Sequence, residues 1–242
     1  MFKRIIGLVL LDQGMVSRTR NFHSDYHYTG EFIDTRFFDE IAFIDISKDH
    51  DQTSHKKFQN TVESLMKDSQ LPVSMGGGIR SIEDIERFRL FGADRYIVNQ
   101  TWKTNDQFIS EIIKMYGKSS VISSISHSGE FIASRHHVST KSVSGRIAEI
   151  RSNCGSELLL NSIERDGTLR GLDLETAKQI CRISKVPLIL SGGVGNATHI
   201  EDALKVNNVV GVATSNIYHL TTTTVSSWRS SLLSNGANIR LI

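Results

Sequence analysis

Two short segments of this 242-residue chain carry the residue types that hold phosphate. Leu71-Pro72-Val73-Ser74-Met75-Gly76-Gly77-Gly78-Ile79 runs into Ser81-Ile82-Glu83-Asp84-Ile85. Far downstream, Val186-Pro187-Leu188-Ile189-Leu190-Ser191-Gly192-Gly193-Val194 runs into His199-Ile200-Glu201-Asp202-Ala203. Each segment starts at one of the chain's two prolines, continues as an apolar run and ends in glycines that open a helix. A glycine turn between strand and helix presents backbone N–H groups at the positive helix end, with no side chain to block an anion. Such glycines also serve tight turns that bind nothing. Here the turns recur: Gly192 follows Gly76 by 116 positions, and Thr214-Ser215 follows Val98-Asn99 by the same interval. Asn99-Gln100 and Asp166-Gly167-Thr168 add further small polar groups suited to phosphate oxygens. A ligand gripped at two ends is the chemistry this spacing points to.

The elements that must position these turns are legible as alternation. Apolar runs occur at Ile5–Leu11, Ile41–Ile46, Val73–Met75, Tyr96–Val98, Val121–Ile125, Leu158–Leu160, Leu188–Leu190 and Val209–Ala213. Between them lie helical stripes: Phe58, Val62, Leu65 and Met66; Ile82, Ile85, Phe88 and Leu90; Ala177, Ile180 and Ile183. Eight strand–helix units with apolar strands predict an α/β protein, a closed (β/α)₈ TIM barrel, in one domain over 1–242 with half-barrels of about 1–117 and 118–242. A doubly wound open sheet is the alternative. Active sites of such barrels lie at the carboxyl ends of the strands.

Bulk properties narrow the classes. Hydrophobic residues make up 39% and the formal charge is +2, with no long basic tract to suggest nucleic acid. No apolar run approaches the roughly 18 residues of a membrane helix. The start, Met1-Phe2-Lys3-Arg4-Ile5-Ile6, reads as a first strand and not as a signal peptide. Cys154 and Cys181 have no metal or disulfide spacing, which fits a reducing cytoplasm. His136-His137 on a strand would face opposite sides, and the remaining histidines form no ligand pattern, so neither metal nor cofactor is expected. Cys154 and Cys181 are read as small helix-packing residues, Thr221–Thr224 as a polar loop, and Trp102 and Trp228 carry no functional signal.

At the opposite end, Arg4, Glu40, Arg95 and Glu157 each sit at the amino end of a predicted strand. One such charge alone is a solvated strand end. Four inward charges below an apolar core are costly unless paired, and two of each sign make a neutral ring.

Arg4-Ile5-Ile6, Asp45-Ile46, Gly76-Gly77-Gly78-Ile79, Gly92-Ala93-Asp94, Ser162 to Thr168 and Ser191-Gly192-Gly193, with the closing Asn238-Ile239-Arg240-Leu241, stand in an order that resembles the cyclase subunit of imidazole glycerol phosphate synthase. The resemblance spans essentially the whole chain. It implies a (β/α)₈ barrel that pairs with a glutaminase subunit, receives ammonia through its core and binds a substrate with two phosphates. It places one phosphate at Gly78, Asn99 and Gln100, and the other at Gly167, Gly193, Thr214 and Ser215. It makes Arg4, Glu40, Arg95 and Glu157 an ammonia gate, with arginine where the family more often has lysine at one position, and Asp94 a partner contact. The segment containing His23 and His27 matches a flexible loop that closes over substrate, in which Arg18 and Arg20 are either anion contacts or surface charge.

The resemblance fails at the cyclisation acids. The two aspartate positions, at the ends of the first and fifth strands, fall on Leu10 and Ser126. Leucine transfers no protons and serine is a poor acid or base near neutral pH. Asp12, two positions on and expected on the same strand face, is a weak substitute; Asp166 remains at the sixth strand, with Glu164 beside it where the family more often has aspartate. An inlet retained while the acids are lost is similar to the diverged cyclase-like proteins associated with sugar amidation in bacterial surface polysaccharides. The expected role is then to pass ammonia to a separate amide-forming enzyme. An active cyclase of histidine biosynthesis and a phosphate-sugar binding scaffold are the other readings.

Overall fold

All eight apolar runs form strands, and the strands close on themselves. The computed structural model describes residues 2–28, 33–99, 106–134, 137–149, 155–215 and 225–241. In chain order the barrel strands are β1 (Arg4–Asp12), β4 (Glu40–Asp45), β5 (Val73–Gly76), β6 (Arg95–Asn99), β7 (Val121–Ser128), β10 (Glu157–Ser162), β11 (Leu188–Ser191) and β12 (Val209–Thr214). Each pairs in parallel with the next; β12 pairs with β1 and β10 with β7, completing the ring. Helices α1 (Gln52–Met66), α2 (Ile82–Leu90), α3 (Asp106–Tyr116), α4 (Val143–Glu149), α5 (Leu174–Ile183), α6 (Ala197–Lys205) and α7 (Val225–Ser234) lie between or after the strands. The fold is a (β/α)₈ TIM barrel. The glycine turns follow β5 and β11, four strands apart around the ring.

Helix starts are written locally. Asp51, Asp173 and Asn196 accept hydrogen bonds from the backbone N–H of Ser54, Thr176 and His199, and Ser81 with Asp84 forms a capping box. Strand burial follows from closure. Ile5, Val9 and Leu11 of β1 pack outward against the helices, while Ile6 and Leu8 join Ala42, Ile97, Ile122, Leu159, Ile189 and Ala213 inside the barrel. Period-two alternation separates the two cores, and both exclude water.

Three expectations need correction. Leu90 and Ile183 were placed on buried stripes but are 74% and 40% exposed. Leu90 is two positions after Phe88, which turns it off the face shared by Ile85 and Phe88. Ile46 lies just past the end of β4. The loop after the first strand is a hairpin: β2 (Met15–Arg20) pairs antiparallel with the end of β1 and with β3 (His23–Tyr28), so His23 and His27 sit on a strand. A second hairpin, β8 (Phe131–Ser134) and β9 (His137–Ser142), extends β7. Cys181 packs against the outer core, and Trp228 is buried in α7. Gln100, Trp102, His136, Cys154 and Thr221–Thr224 lie outside the described residues.

One polar contact ties the last helix to the barrel. Arg229 of α7 donates to both carboxylate oxygens of Asp39, at 2.9 and 3.2 Å, and both side chains are buried. The same Asp39 accepts the backbone N–H of Ile5 at 2.8 Å, and Arg229 also donates to the carbonyl of Arg240. Removing the cation leaves a buried carboxylate uncompensated, a loss of about 3–5 kcal/mol. Arg229→Met is expected to lower unfolding free energy by that amount in urea denaturation, while Asp39→Asn with Arg229→Met together loses less.

Candidate functional site

At the carboxyl end of the barrel lies a cavity of about 330 Å³. Its walls differ in chemistry. Leu8 and Leu10 of β1, Ile44 of β4, Ile97 of β6 and Leu159 of β10 form an apolar side and floor. Across it stand Ser124 and Ser126 of β7, Asn161 of β10 and Ser191 of β11. Ser126, Asn161 and Ser191 are register partners on three adjacent strands, so they form one row of neutral hydrogen-bonding groups. Gly77, Gly78, Arg80 and Asn99 line one end. A narrow second cleft, lined by Gly167, Gly193, Thr214 and Ser215, shares Asp166, Ser191 and Ser215 with the main cavity. The residues read from sequence as two phosphate turns thus border connected hollows.

Gly167 shows why glycine is required. Its φ is +70°, and a Cβ there would lie 2.4 Å from the carbonyl oxygen of Thr19. The β2–β3 hairpin presses directly on this turn. Its tip, Asn21 and Phe22, has φ of 51° and 64°, a left-handed conformation that a bulky side chain disfavours. Asp166 holds the tip: its carboxylate accepts the Phe22 N–H at 3.0 Å and its carbonyl accepts the Asn21 N–H at 3.1 Å. Phe22 consequently lines the cavity. Burial pushes the Asp166 carboxyl above the ordinary carboxylate range; the Phe22 amide, the Thr19 hydroxyl and the Arg18 charge pull back only part of that rise.

Leu10 and Ser126, the positions where the resemblance led us to expect the cyclisation acids, both line the cavity, and neither carries a carboxyl group. Asp12 does not line it. Its strand turns into the hairpin there, with Asp12 opposite Met15, and its carboxylate lies 3.3 Å from His27 Nε2. Asp12 thus lies on β1 two positions beyond Leu10, as expected, but outside the cavity. Glu164 accepts from the Ser128 hydroxyl at 2.5 Å and also stands outside the cavity. Asp45, quoted from sequence without a role, is a buried cavity carboxylate at the end of β4. Asn161, Ser191 and Phe22 were likewise missed as lining residues. Counting inward positions by twos from Glu157 would have found Asn161; Phe22 has no sequence signal, because the hairpin tip brings it in.

At the amino end the four strand-start charges converge. Arg4 reaches Glu40 at 2.9 Å and Glu157 at 2.5 Å; Arg95 reaches Glu157 at 2.7 Å and Glu40 at 3.6 Å. Ser74 donates to Glu40, and Arg95 also donates to Ser156 Oγ and the Ser119 carbonyl. Burial alone would raise Glu157, but the hydrogen bonds and charges of Arg4 and Arg95 outweigh it and hold its pKa below the ordinary value. Arg4 is also desolvated, yet Glu157 and Glu40 keep its pKa raised. Asp94 accepts the Val73 N–H at 2.8 Å, so this exposed residue also fixes the start of β5. Among the described residues, no group of three His, Cys, Asp or Glu side chains could hold a metal ion, and no helix is long and apolar enough to cross a membrane.

A closed parallel barrel with its cavity at the carboxyl ends and paired glycine turns at its rim defines the class. The chain belongs to the histidine biosynthesis protein family, whose model matches residues 7–224. It is 30% identical over 252 aligned positions to imidazole glycerol phosphate synthase subunit HisF of Exiguobacterium sibiricum, covering 99% of this chain and 100% of that protein. It is 28% identical to the subunit of the same name from Streptococcus sanguinis, over 84% and 82% of the two chains, and from Flavobacterium johnsoniae, also over 84% and 82%.

The raised Asp166 pKa has a sign that can be checked. Protonation favours the folded chain, so this group's stabilising contribution is full below its unfolded pKa and is lost as pH rises through the folded value. Asp166→Asn keeps an acceptor for Phe22 and removes the buried charge. In urea denaturation from about pH 4 to 7, the stability of the variant relative to wild type is expected to rise with pH; a flat or falling difference contradicts the assignment.

Proposed function

We propose that this chain is the barrel subunit of a glutamine-dependent synthase complex: it takes ammonia from a glutaminase partner, binds a phosphorylated ligand, and no longer performs the family's cyclisation. The observation that carries this reading is the contrast between its two ends. The amino end has a complete, neutral ring of Arg4, Glu40, Arg95 and Glu157. The carboxyl end has Leu10 and Ser126 where two proton-transferring aspartates belong in the resemblance.

The interior between the ends supports it. Ile6, Leu8, Ala42, Ile97, Ile122, Leu159, Ile189 and Ala213 form an apolar column above the ring. A charged ammonium ion entering that column is penalised by desolvation far more than neutral ammonia. Leu10 and Ser126 place no proton-transferring group at the cavity end of the column. Supply to a separate amide-forming enzyme, as in amidation of a sugar of a surface polysaccharide, is the use that fits a conduit with a neutral outlet. Gly78 and Asn99, with Gln100, take one phosphate of the ligand; Gly167, Gly193, Thr214 and Ser215 take the other. Asp94 contributes to the partner face.

A second reading draws on one observation. Asp45 and Asp166 both line the cavity, and burial raises the Asp166 pKa above the ordinary carboxylate range, the direction that suits a proton-transfer group. An altered cyclase using these carboxylates is therefore the competitor. Ammonia-dependent cyclisation of the family substrate by the purified chain separates the two. The loss of two proton-transfer groups, each worth about 10²–10⁴-fold, predicts no measurable turnover. Robust turnover sinks the first reading, and its abolition by Asp166→Asn establishes the second. In a reconstituted complex with the glutaminase, Glu40→Ala is expected to uncouple glutamine hydrolysis from product formation.

A further inference from the structure

Behind the first glycine turn sits an imidazole that neither reading has used. His50 follows β4 and places Nδ1 3.2 Å from Asp45 Oδ2. The other Asp45 oxygen accepts the Ser47 N–H at 3.0 Å. A carboxylate oxygen only accepts, so this contact takes Nδ1–H of His50 as its donor and leaves Nε2 as the ring's other polar atom. That edge of the ring packs on Gly78. A Cβ added to Gly78 would lie 2.7 Å from both Nε2 and Cε1 of His50, and Gly78 already needs a φ of +65°. Gly78, Arg80 and Asp45 all line the main cavity.

We infer that His50, oriented by Asp45, is a titrating component of the anion site at Gly78, binding the phosphoryl group of the ligand more tightly when its ring is protonated. The inference rests on the phosphate reading of that turn. His50 is not among the cavity residues; its Nε2 edge meets the Gly78 turn from behind, and a protonated ring there would offer an anion held on that turn a charge-assisted hydrogen bond. The buried Asp45 carboxylate compensates the cation so formed. Other charges face this position from each neighbouring element. His55 of α1 stacks on His50 with ring centroids 6.3 Å apart. Burial, then the nearby Arg87 of α2, lowers the His55 pKa, while Asp45 and Asp84 oppose this. Burial and Arg87 thus weigh against the charged form of His55. Among the described residues the second site, at Gly193, has no equivalent Asp–His pair; there His199 Nδ1 accepts the Gly195 N–H at 3.1 Å.

Sulfate is the suitable probe, because it remains a dianion across the range where phosphate itself would change charge. The full chain, labelled with ¹⁵N-glycine, is titrated with sulfate at about pH 6 and about pH 8, following the Gly78 and Gly193 amide resonances separately. Affinity read at Gly78 is expected to be about ten-fold higher at the lower pH, the scale of one charge-assisted hydrogen bond, and affinity at Gly193 to change much less. In wild type, saturating sulfate should raise the pKa read from the His50 ring protons. In His50→Gln the pH response at Gly78 should vanish while sulfate still binds. Retention of that response in His50→Gln, or a His50 pKa indifferent to sulfate, overturns the inference. If neither glycine resonance responds to sulfate at any pH, the phosphate reading itself fails, and the inference with it.

Discussion

A parallel sheet closed into eight strands has an inside that water does not share, and every second residue of each strand must face it. That constraint organises the molecule from end to end. Charges can enter the interior only if they neutralise one another, which is what Arg4, Arg95, Glu40 and Glu157 do at the amino end. The next layers are aliphatic, because nothing there could satisfy a polar group. Polar side chains reappear only where the barrel opens, as Ser124, Ser126, Asn161 and Ser191.

The site is thereby divided by strand and not by loop. Adjacent β1 and β4 contribute Leu8, Leu10 and Ile44, and adjacent β7, β10 and β11 contribute serines and an asparagine. With Ile97 and Leu159 on the floor, a bound molecule meets Leu8, Leu10 and Ile44 on one side and the row of Ser126, Asn161 and Ser191 on the other. The carboxylates sit at the rim, beyond the last inward positions: Asp45 beside the first glycine turn and Asp166 beside the second cleft. Leu10 and Ser126 carry no carboxyl group, yet the cavity keeps two carboxylates, those of Asp45 and Asp166.

Asp166 joins chemistry to closure. The same residue lines both hollows, has a raised pKa and holds the hairpin tip whose Phe22 completes the wall. Its buried charge is a cost that the hairpin contact accompanies, and any ligand that displaces water from the cavity deepens that burial. The hairpin is the part of the site farthest from anything that strand periodicity could announce.

The sequence by itself determined the strand count, the helix caps and the positions of the glycine turns, because these depend on local spacing: alternation by two, stripes at three and four, and glycines where a strand turns into a helix. It also determined that Leu10 and Ser126 cannot transfer protons, since that is a property of residue type. Tertiary structure alone decided which residues meet. Asp12 looked like a neighbour of Leu10 until β1 turned into a hairpin and carried it to His27. Leu90 fitted a stripe by type and missed it by phase. Asp45 and His50, five positions apart, became a pair at Gly78 only because the segment after β4 folds across the turn after β5. Contacts between such segments are fixed by barrel closure, a long-range condition that no window along the chain contains.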